Sequence, residues 1–244
     1  MPGEIPRVIH QVWIGNVEPH PGLLRMQERM MRVNKGWELR VWREPDIPVL
    51  HNQAVYARVK GITHKSDVVR YELLWRHPGV YADWDIHWLR PLDDYIGGCT
   101  EFFVPEGWDD EGRPVLNNGI FGVGPGNPIA AALVARLESS AARYLEHNRS
   151  RAVGVGYFTN VVRSFPAACI WPRQCFHQGH ALRAVTAPEW SKHTPALGVH
   201  FFQSNGVIDK FERMARDCGL DDPTRKIPTL ADVRRAEASG VPLR

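Results

Sequence analysis

The sequence predicts an α/β fold with a parallel sheet, and three observations predict it. A strand, a helix and a second strand follow one another at the start of the chain. A later helix stops immediately before a short apolar strand. That strand ends in two carboxylates, Asp83 and Asp85, at the carboxyl edge where α/β sheets bind their ligands.

Taken in order, Arg7–Trp13 (Arg-Val-Ile-His-Gln-Val-Trp) is rich in β-branched and aromatic residues and closes at Gly15, so it reads as a buried strand. Leu23–Val33 has helical composition and ends at Asn34-Lys35-Gly36. Trp37–Trp42 alternates as a strand does, and Pro45 and Pro48 terminate it. Ser66 reads as the N-cap of a helix over 67–76, stopped by His77-Pro78-Gly79. Val80–Ala82 is the short strand leading into Asp83, and 102–104 and 119–123 are two further strands. Asn127-Pro128 caps a helix running to about Glu146. Residues 158–164 read as helix, 197–202 as strand and 230–238 as helix in a charged tail. Trp108–Pro114 is acidic and contains Gly and Pro, which reads as a loop over a site.

The bulk composition narrows the field without naming a function. With 244 residues the chain is long enough for one sizeable core, and a formal charge of +3 suits a small anionic ligand without demanding a nucleic acid or a membrane. No apolar run approaches the roughly 20 residues of a membrane span. Cys99, Cys169, Cys175 and Cys218 match no common zinc spacing, and no secretory signal is evident. Reduced thiols in a cytoplasmic protein are therefore expected.

Asp83 and Asp85 are the first chemical candidates. Two carboxylates so close repel one another, and a hard divalent cation shared with substrate phosphates relieves that repulsion. Alone, an Asp-x-Asp also reads as a solvated turn. Asp67 and Arg70, three apart on one helix face, read by themselves as an ordinary surface ion pair. Asp67 would lie in the first helical turn, where the dipole favours its charge. Trp13, at a strand end, suits stacking on a nucleobase or simple core packing. Asn118-Gly119 is a strong turn signal. His200 is one of 11 histidines, most of which serve structure.

In combination, Ile5–Gly15, Ser66-Asp-Val-Val-Arg-Tyr71 and Gly79-Val-Tyr-Ala-Asp-Trp-Asp85 resemble glycosyltransferase family 32, the Asp-x-Asp sugar-binding family, across residues 5–95. The resemblance implies a GT-A fold: a Rossmann-like, mostly parallel sheet flanked by helices, as a single domain over 1–244. The donor would bind in about 1–125, and 126–244 would form the acceptor side. It implies Asp85 as a ligand of Mn²⁺ or Mg²⁺, with Asp83 on the metal or on the donor ribose or sugar. Trp13 would stack on the donor base, Asp67 and Arg70 would contact ribose and sugar, and Tyr81 would pack near the donor. Asn118 would touch the transferred sugar, and a late histidine, His200, would complete the metal site. Gly154–Thr159 resembles the family's Gly-Pro-x-x-x-Thr segment with Val155 in place of the proline, and Pro78-Gly79 stands for the usual Gly-Gly.

The expected function is metal-dependent transfer of a sugar, with retention, from a UDP- or GDP-sugar to a hydroxyl of a glycan or glycolipid. Asp85, Arg70 and Asp83 would carry the chemistry. Trp108, with 106–110, would offer the acceptor an aromatic platform. A glycolipid acceptor would bring a peripheral membrane contact. A nucleic-acid base as acceptor, a phosphohydrolase using the same aspartates, and a non-catalytic carbohydrate-binding protein are the alternatives. The joint presence of Asp67, Arg70, Asp83 and Asp85 argues against the last.

Overall fold

The computed structural model describes residues 2–178, 197–200 and Arg235. In chain order its elements are β1 (Val8–Trp13), α1 (Pro21–Val33), β2 (Glu38–Arg43), α2 (Gln53–Arg58), α3 (Ile62–Arg76), β3 (Gly79–Ala82), β4 (Ile86–Trp88), α4 (Asp93–Ile96), β5 (Glu101–Trp108), β6 (Pro114–Val123), α5 (Pro128–Ala135), α6 (Leu137–Tyr144), α7 (Arg149–Ala152), α8 (Val155–Arg163), β7 (Phe176–Gln178) and β8 (Gly198–His200). The chain divides into two units.

The first unit comprises Met1–Val17, Trp37–Asp83 and Gly98–Trp171. Its sheet has the order β2-β1-β3-β6-β5. Strands β2, β1 and β3 are parallel, β6 runs against β3, and β5 runs against β6, so β6 alone in this sheet opposes the common direction. Apolar residues of α3, α5 and α8 join Val12, Tyr81, Phe103, Leu116 and Phe121 of the sheet in one core. Elsewhere in the unit, Phe102 stacks on Trp171 with ring centroids 3.9 Å apart. Gly122 is confined by that packing, because a Cβ there would meet the Phe102 ring at 2.5 Å.

Helix α3 is buried on most of its circumference, from Val68 and Val69 through Tyr71, Leu73 and Leu74. Charged residues on such a helix must find partners inside the protein. Glu72 finds them in the backbone N–H groups of His51 (2.9 Å) and Asn52 (2.7 Å), the Asn52 side chain (2.9 Å) and Arg76 (3.4 Å). Asp67 and Arg70 find theirs at the candidate site.

The second unit comprises Glu18–Gly36, Trp84–Gly97 and Pro172–Arg244. Its sheet has the order β4-β8-β7, antiparallel at the first pairing and parallel at the second. Trp88 meets Phe176 edge to face at 5.6 Å, and Arg29 of α1 donates to the Trp88 carbonyl at 2.5 Å. Asn34 caps α1 and accepts from the backbone N–H of Leu92 at 2.8 Å.

Several sequence expectations change. Helix α3 starts at Ile62 behind Gly61, whose φ of 94° supplies the turn, so Ser66 is not its N-cap and Asp67 is not in its first turn. Nothing in Ile62-Thr-His-Lys65 breaks a helix. Asn117-Asn118-Gly119 is not a turn but lies within β6, at a register shift where Phe103 pairs with Phe121 and Val104 with Asn117. The stretch 108–114 is the tip of the β5–β6 hairpin, in which Trp108 pairs with Pro114. The helix after Asn127 is two helices divided at Arg136. Asn127 does cap the first, its Oδ1 accepting from the N–H groups of Ile129 and Ala130. The helix expected over 230–238 lies outside the described residues, apart from Arg235, which is helical; so does the end of the strand expected over 197–202. Cys99, Cys169 and Cys175 are thiols, while Cys218 lies outside the described residues.

Candidate active site

Within the first unit the site is organised by Arg70, which is 4% exposed. Its position on α3 places Ser66 one turn earlier, and the guanidinium takes Ser66 Oγ at 3.1 Å and the Ser66 carbonyl at 3.3 Å. Nη1 donates to the Asn118 carbonyl at 2.8 Å. Nη2 faces Asp83 Oδ1 at 3.3 Å and Asp67 Oδ1 at 3.5 Å. The Tyr81 ring lies beneath, its centroid 4.4 Å from Cζ. Five donors fixed in one plane suit this arrangement, and an ammonium group would not satisfy it.

Asp83 follows β3 directly and stays in register with the sheet, its N–H donating to the Gly119 carbonyl at 2.8 Å. The Tyr81 hydroxyl donates to Asp83 Oδ1 at 2.7 Å. Tyr81 is fully buried, so it supports Asp83 and Arg70 from below. Gly79 makes this register possible: its φ is 154°, and a Cβ there would meet the Val8 carbonyl at 2.6 Å. The second glycine of the usual pair is thus retained where the backbone needs it, and the first is replaced by Pro78.

Asp67, 5% exposed, accepts from Asn118 Nδ2 at 2.8 Å. Burial pushes its carboxyl up to about 6, against the opposing pull of Arg70. Burial works against the charge of Arg70, but Asp83 and then Tyr81 and Asp67 outweigh it and hold the guanidinium firmly protonated. Burial likewise raises the Tyr81 hydroxyl well above its usual value. The first unit therefore presents one buried cation and two carboxylates in a mutually oriented group.

In the second unit, Asp85 precedes β4 and His200 ends β8, where Ile86 pairs with His200. The pairing brings Asp85 Oδ1 to 3.1 Å from His200 Nε2, with both side chains buried. A carboxylate oxygen and an imidazole nitrogen so placed are a donor set for Mn²⁺ and acceptable for harder divalent ions. Asp83 stands two residues before Asp85 in the chain.

The other expected site residues are placed as follows. Trp13 ends β1, partly buried, with its indole N–H donating to the Val17 carbonyl at 2.7 Å. Trp108 ends β5 and is 57% exposed. The hairpin turn beside it is held by Asp109, which accepts from the N–H groups of Glu111 and Arg113 and from the side chains of Arg113 and Arg163. These bonds, led by that from the Arg113 backbone, lower the Asp109 carboxyl to about 2. The Thr159 hydroxyl accepts from the Leu116 N–H at 2.9 Å and ties α8 to β6. Ser66, Tyr71 and the Asn118 carbonyl were not among the expected site residues. Ser66 was legible from its i, i+4 spacing to Arg70, whereas the other two depend on the register shift in β6.

The family model for the glycosyltransferase sugar-binding region containing the DXD motif matches residues 22–103. An uncharacterized glycosyltransferase of Acanthamoeba polyphaga mimivirus is 31% identical over 133 residues, covering 51% of this chain and 52% of that protein. Inositol phosphoceramide mannosyltransferase 1 of Schizosaccharomyces pombe is 28% identical over 156 residues, covering 59% of this chain and 47% of that protein. The chain thus spans about half the length of the curated relatives it matches. Among solved structures, the PaToxG glycosyltransferase superposes with a TM-score of 0.55 at 13% identity, covering 96% of this chain and 88% of that one. Residues 22–103 thus match the glycosyltransferase sugar-binding region containing the DXD motif, a span that includes Asp83-Trp84-Asp85, and the chain has the α/β fold of GT-A glycosyltransferases.

Proposed function

We propose that the protein is a metal-dependent, retaining glycosyltransferase that moves a sugar from a UDP- or GDP-sugar to a hydroxyl of a glycan or glycolipid. The observation that carries this reading is buried Arg70 set between buried Asp67 and partly exposed Asp83, followed two residues later in the chain by Asp85 with its His200 partner. Asp85 and His200 would hold Mn²⁺ or Mg²⁺, with Asp83 as a third ligand or as the contact to the donor ribose or sugar. When bound, the ion would supply positive charge to offset that of the leaving diphosphate.

The chain's own groups do the rest. Arg70, kept protonated by Asp83 and Asp67, orients the sugar and supports the leaving diphosphate. Asp67 accepts a hydroxyl of the donor. Tyr81 holds Asp83 and Arg70 in place. Trp13 packs against the base, Asn118 borders the sugar, and Trp108 offers the acceptor an aromatic face. The donor-binding part lies in about 1–125. Among the described residues no helix is long and apolar enough to cross a membrane.

A transfer assay with purified protein tests the reading. Turnover of a nucleotide sugar is expected to stop with EDTA and return with Mn²⁺, and the product's anomeric configuration is expected to match the donor's. Full turnover in EDTA, or an inverted product, contradicts it.

A further inference from the structure

The hydroxyl of Tyr71 takes no part in the chemistry above, yet it stands at a junction of three elements. Tyr71 is fully buried on α3, next to Arg70, with its ring stacked on Phe158 at 5.9 Å. Its hydroxyl donates to the Val153 carbonyl at 2.9 Å, between α7 and α8. It accepts from Asn118 Nδ2 at 2.8 Å, and the same Nδ2 donates to Asp67 Oδ1 at 2.8 Å.

The proton arithmetic makes this chain directional. An amide nitrogen has two protons, and Asn118 uses one on Tyr71 and one on Asp67. Tyr71 accepts because its own proton is committed to Val153. A flipped Asn118 would turn its oxygen toward the Asp67 carboxylate, which repels it. The acceptor-only Asp67 carboxylate sets which way Asn118 points, and the Tyr71 hydroxyl, its proton committed to Val153, holds the same amide from its second side and so steadies the bond to Oδ1 of Asp67. Among the described residues no donor reaches the other oxygen, Oδ2. That oxygen faces Gly154, where even a Cβ would lie 3.4 Å away.

We propose that Tyr71 is a positioning residue that acts through Asn118 to hold the Asp67 carboxylate with Oδ2 presented to a hydroxyl of the bound nucleotide sugar. The proposal rests on the reading that Asp67 contacts the donor. It adds the Val153–Gly154 segment to the donor site, because the chain of bonds is anchored on the Val153 carbonyl.

The test is calorimetric titration of the full chain with UDP-glucose and with GDP-mannose in Mn²⁺. Tyr71→Phe keeps the stacked ring and is expected to weaken whichever probe binds by about fivefold to tenfold, the scale of one buried hydrogen bond. In an Asp67→Asn background Tyr71→Phe is expected to cause no further loss, because its effect passes through Asp67. Tyr157→Phe is the control: it also removes a buried hydroxyl, one that bonds the Leu133 carbonyl at 2.6 Å, and is expected to leave affinity unchanged. Unchanged affinity in Tyr71→Phe, or an equal loss in the Asp67→Asn background, overturns the positioning role alone. Failure of the wild type to bind either probe overturns the donor-site reading, and the positioning role with it.

Discussion

The Arg70 guanidinium lies 3.3 Å from Asp83 Oδ1, joining the middle of a buried helix to the first aspartate of the DXD motif. Arg70 is buried and Asp83 partly exposed, and with buried Asp67 they set one cation between two carboxylates, so removing the cation leaves two like charges facing each other.

That dependence predicts an asymmetric response to substitution. Arg70→Ala leaves Asp67 and Asp83 without their cation and is expected to cost about 3–5 kcal/mol of stability. Arg70→Lys restores the charge but not the bonds to Ser66 and the Asn118 carbonyl, and is expected to recover only part of it. Urea denaturation followed by circular dichroism measures both. An Arg70→Lys protein as stable and as active as the wild type contradicts the planar geometry assigned to the site.

Asp67 predicts a pH dependence with a definite sign. Its carboxyl titrates near 6 in the fold against an ordinary 3.8, so the folded protein holds that proton more tightly than the unfolded chain. The resulting stabilisation is full below about pH 4 and is lost as the pH rises through 6. Relative to Asp67→Asn, the wild type is expected to lose on the order of 3 kcal/mol between pH 4 and 6.5. Parallel stability curves for the two proteins contradict it.

Glu72 predicts the opposite of a site residue. It is as buried as Asp67 and sits on the same helix, but its partners are His51, Asn52 and Arg76, away from the DXD motif in the sequence. Glu72→Ala is expected to destabilise the protein by about 3 kcal/mol through the donors it leaves unpaired. At a temperature where the variant is folded, its affinity for nucleotide sugar is expected to equal that of the wild type. Loss of affinity without loss of stability contradicts this division of roles.

The hairpin tip predicts a local effect. Asp109 closes the turn beside Trp108 and joins it to Arg163 of α8, which also donates to the Pro114 carbonyl. Asp109→Ala is expected to speed amide exchange at Glu111 and Arg113 while leaving global stability nearly unchanged. Unaltered exchange at those two amides contradicts the role given to Asp109.

These predictions also mark what the sequence made legible. The strands at 8–13, 38–43 and 79–82 followed from β-branched runs and their punctuation, because such signals are local. Asn127 as a cap was local in the same way. The start of α3 was misplaced because Ser66 has the chemistry of a cap but uses its hydroxyl on Arg70. The Asn-Gly turn was misread because a register shift in β6, set by pairing with both β3 and β5, overrides the local preference. The network of Tyr71, Asn118 and Asp67 depends on that shift, so no spacing announced it. Composition and spacing did not divide the roles of α3's buried acids, Asp67 and Glu72; only the resemblance singled out Asp67.

On the proposed function, Asp85, with His200, makes donor binding depend on a divalent ion. A thermal-shift panel of UDP- and GDP-sugars, run with Mn²⁺ and with EDTA on wild type and Asp85→Ala, tests it most directly. At least one nucleotide sugar is expected to raise the wild-type melting temperature only when Mn²⁺ is present, and Asp85→Ala, folded, is expected to show no such rise. A rise of equal size in EDTA, or in Asp85→Ala, contradicts it.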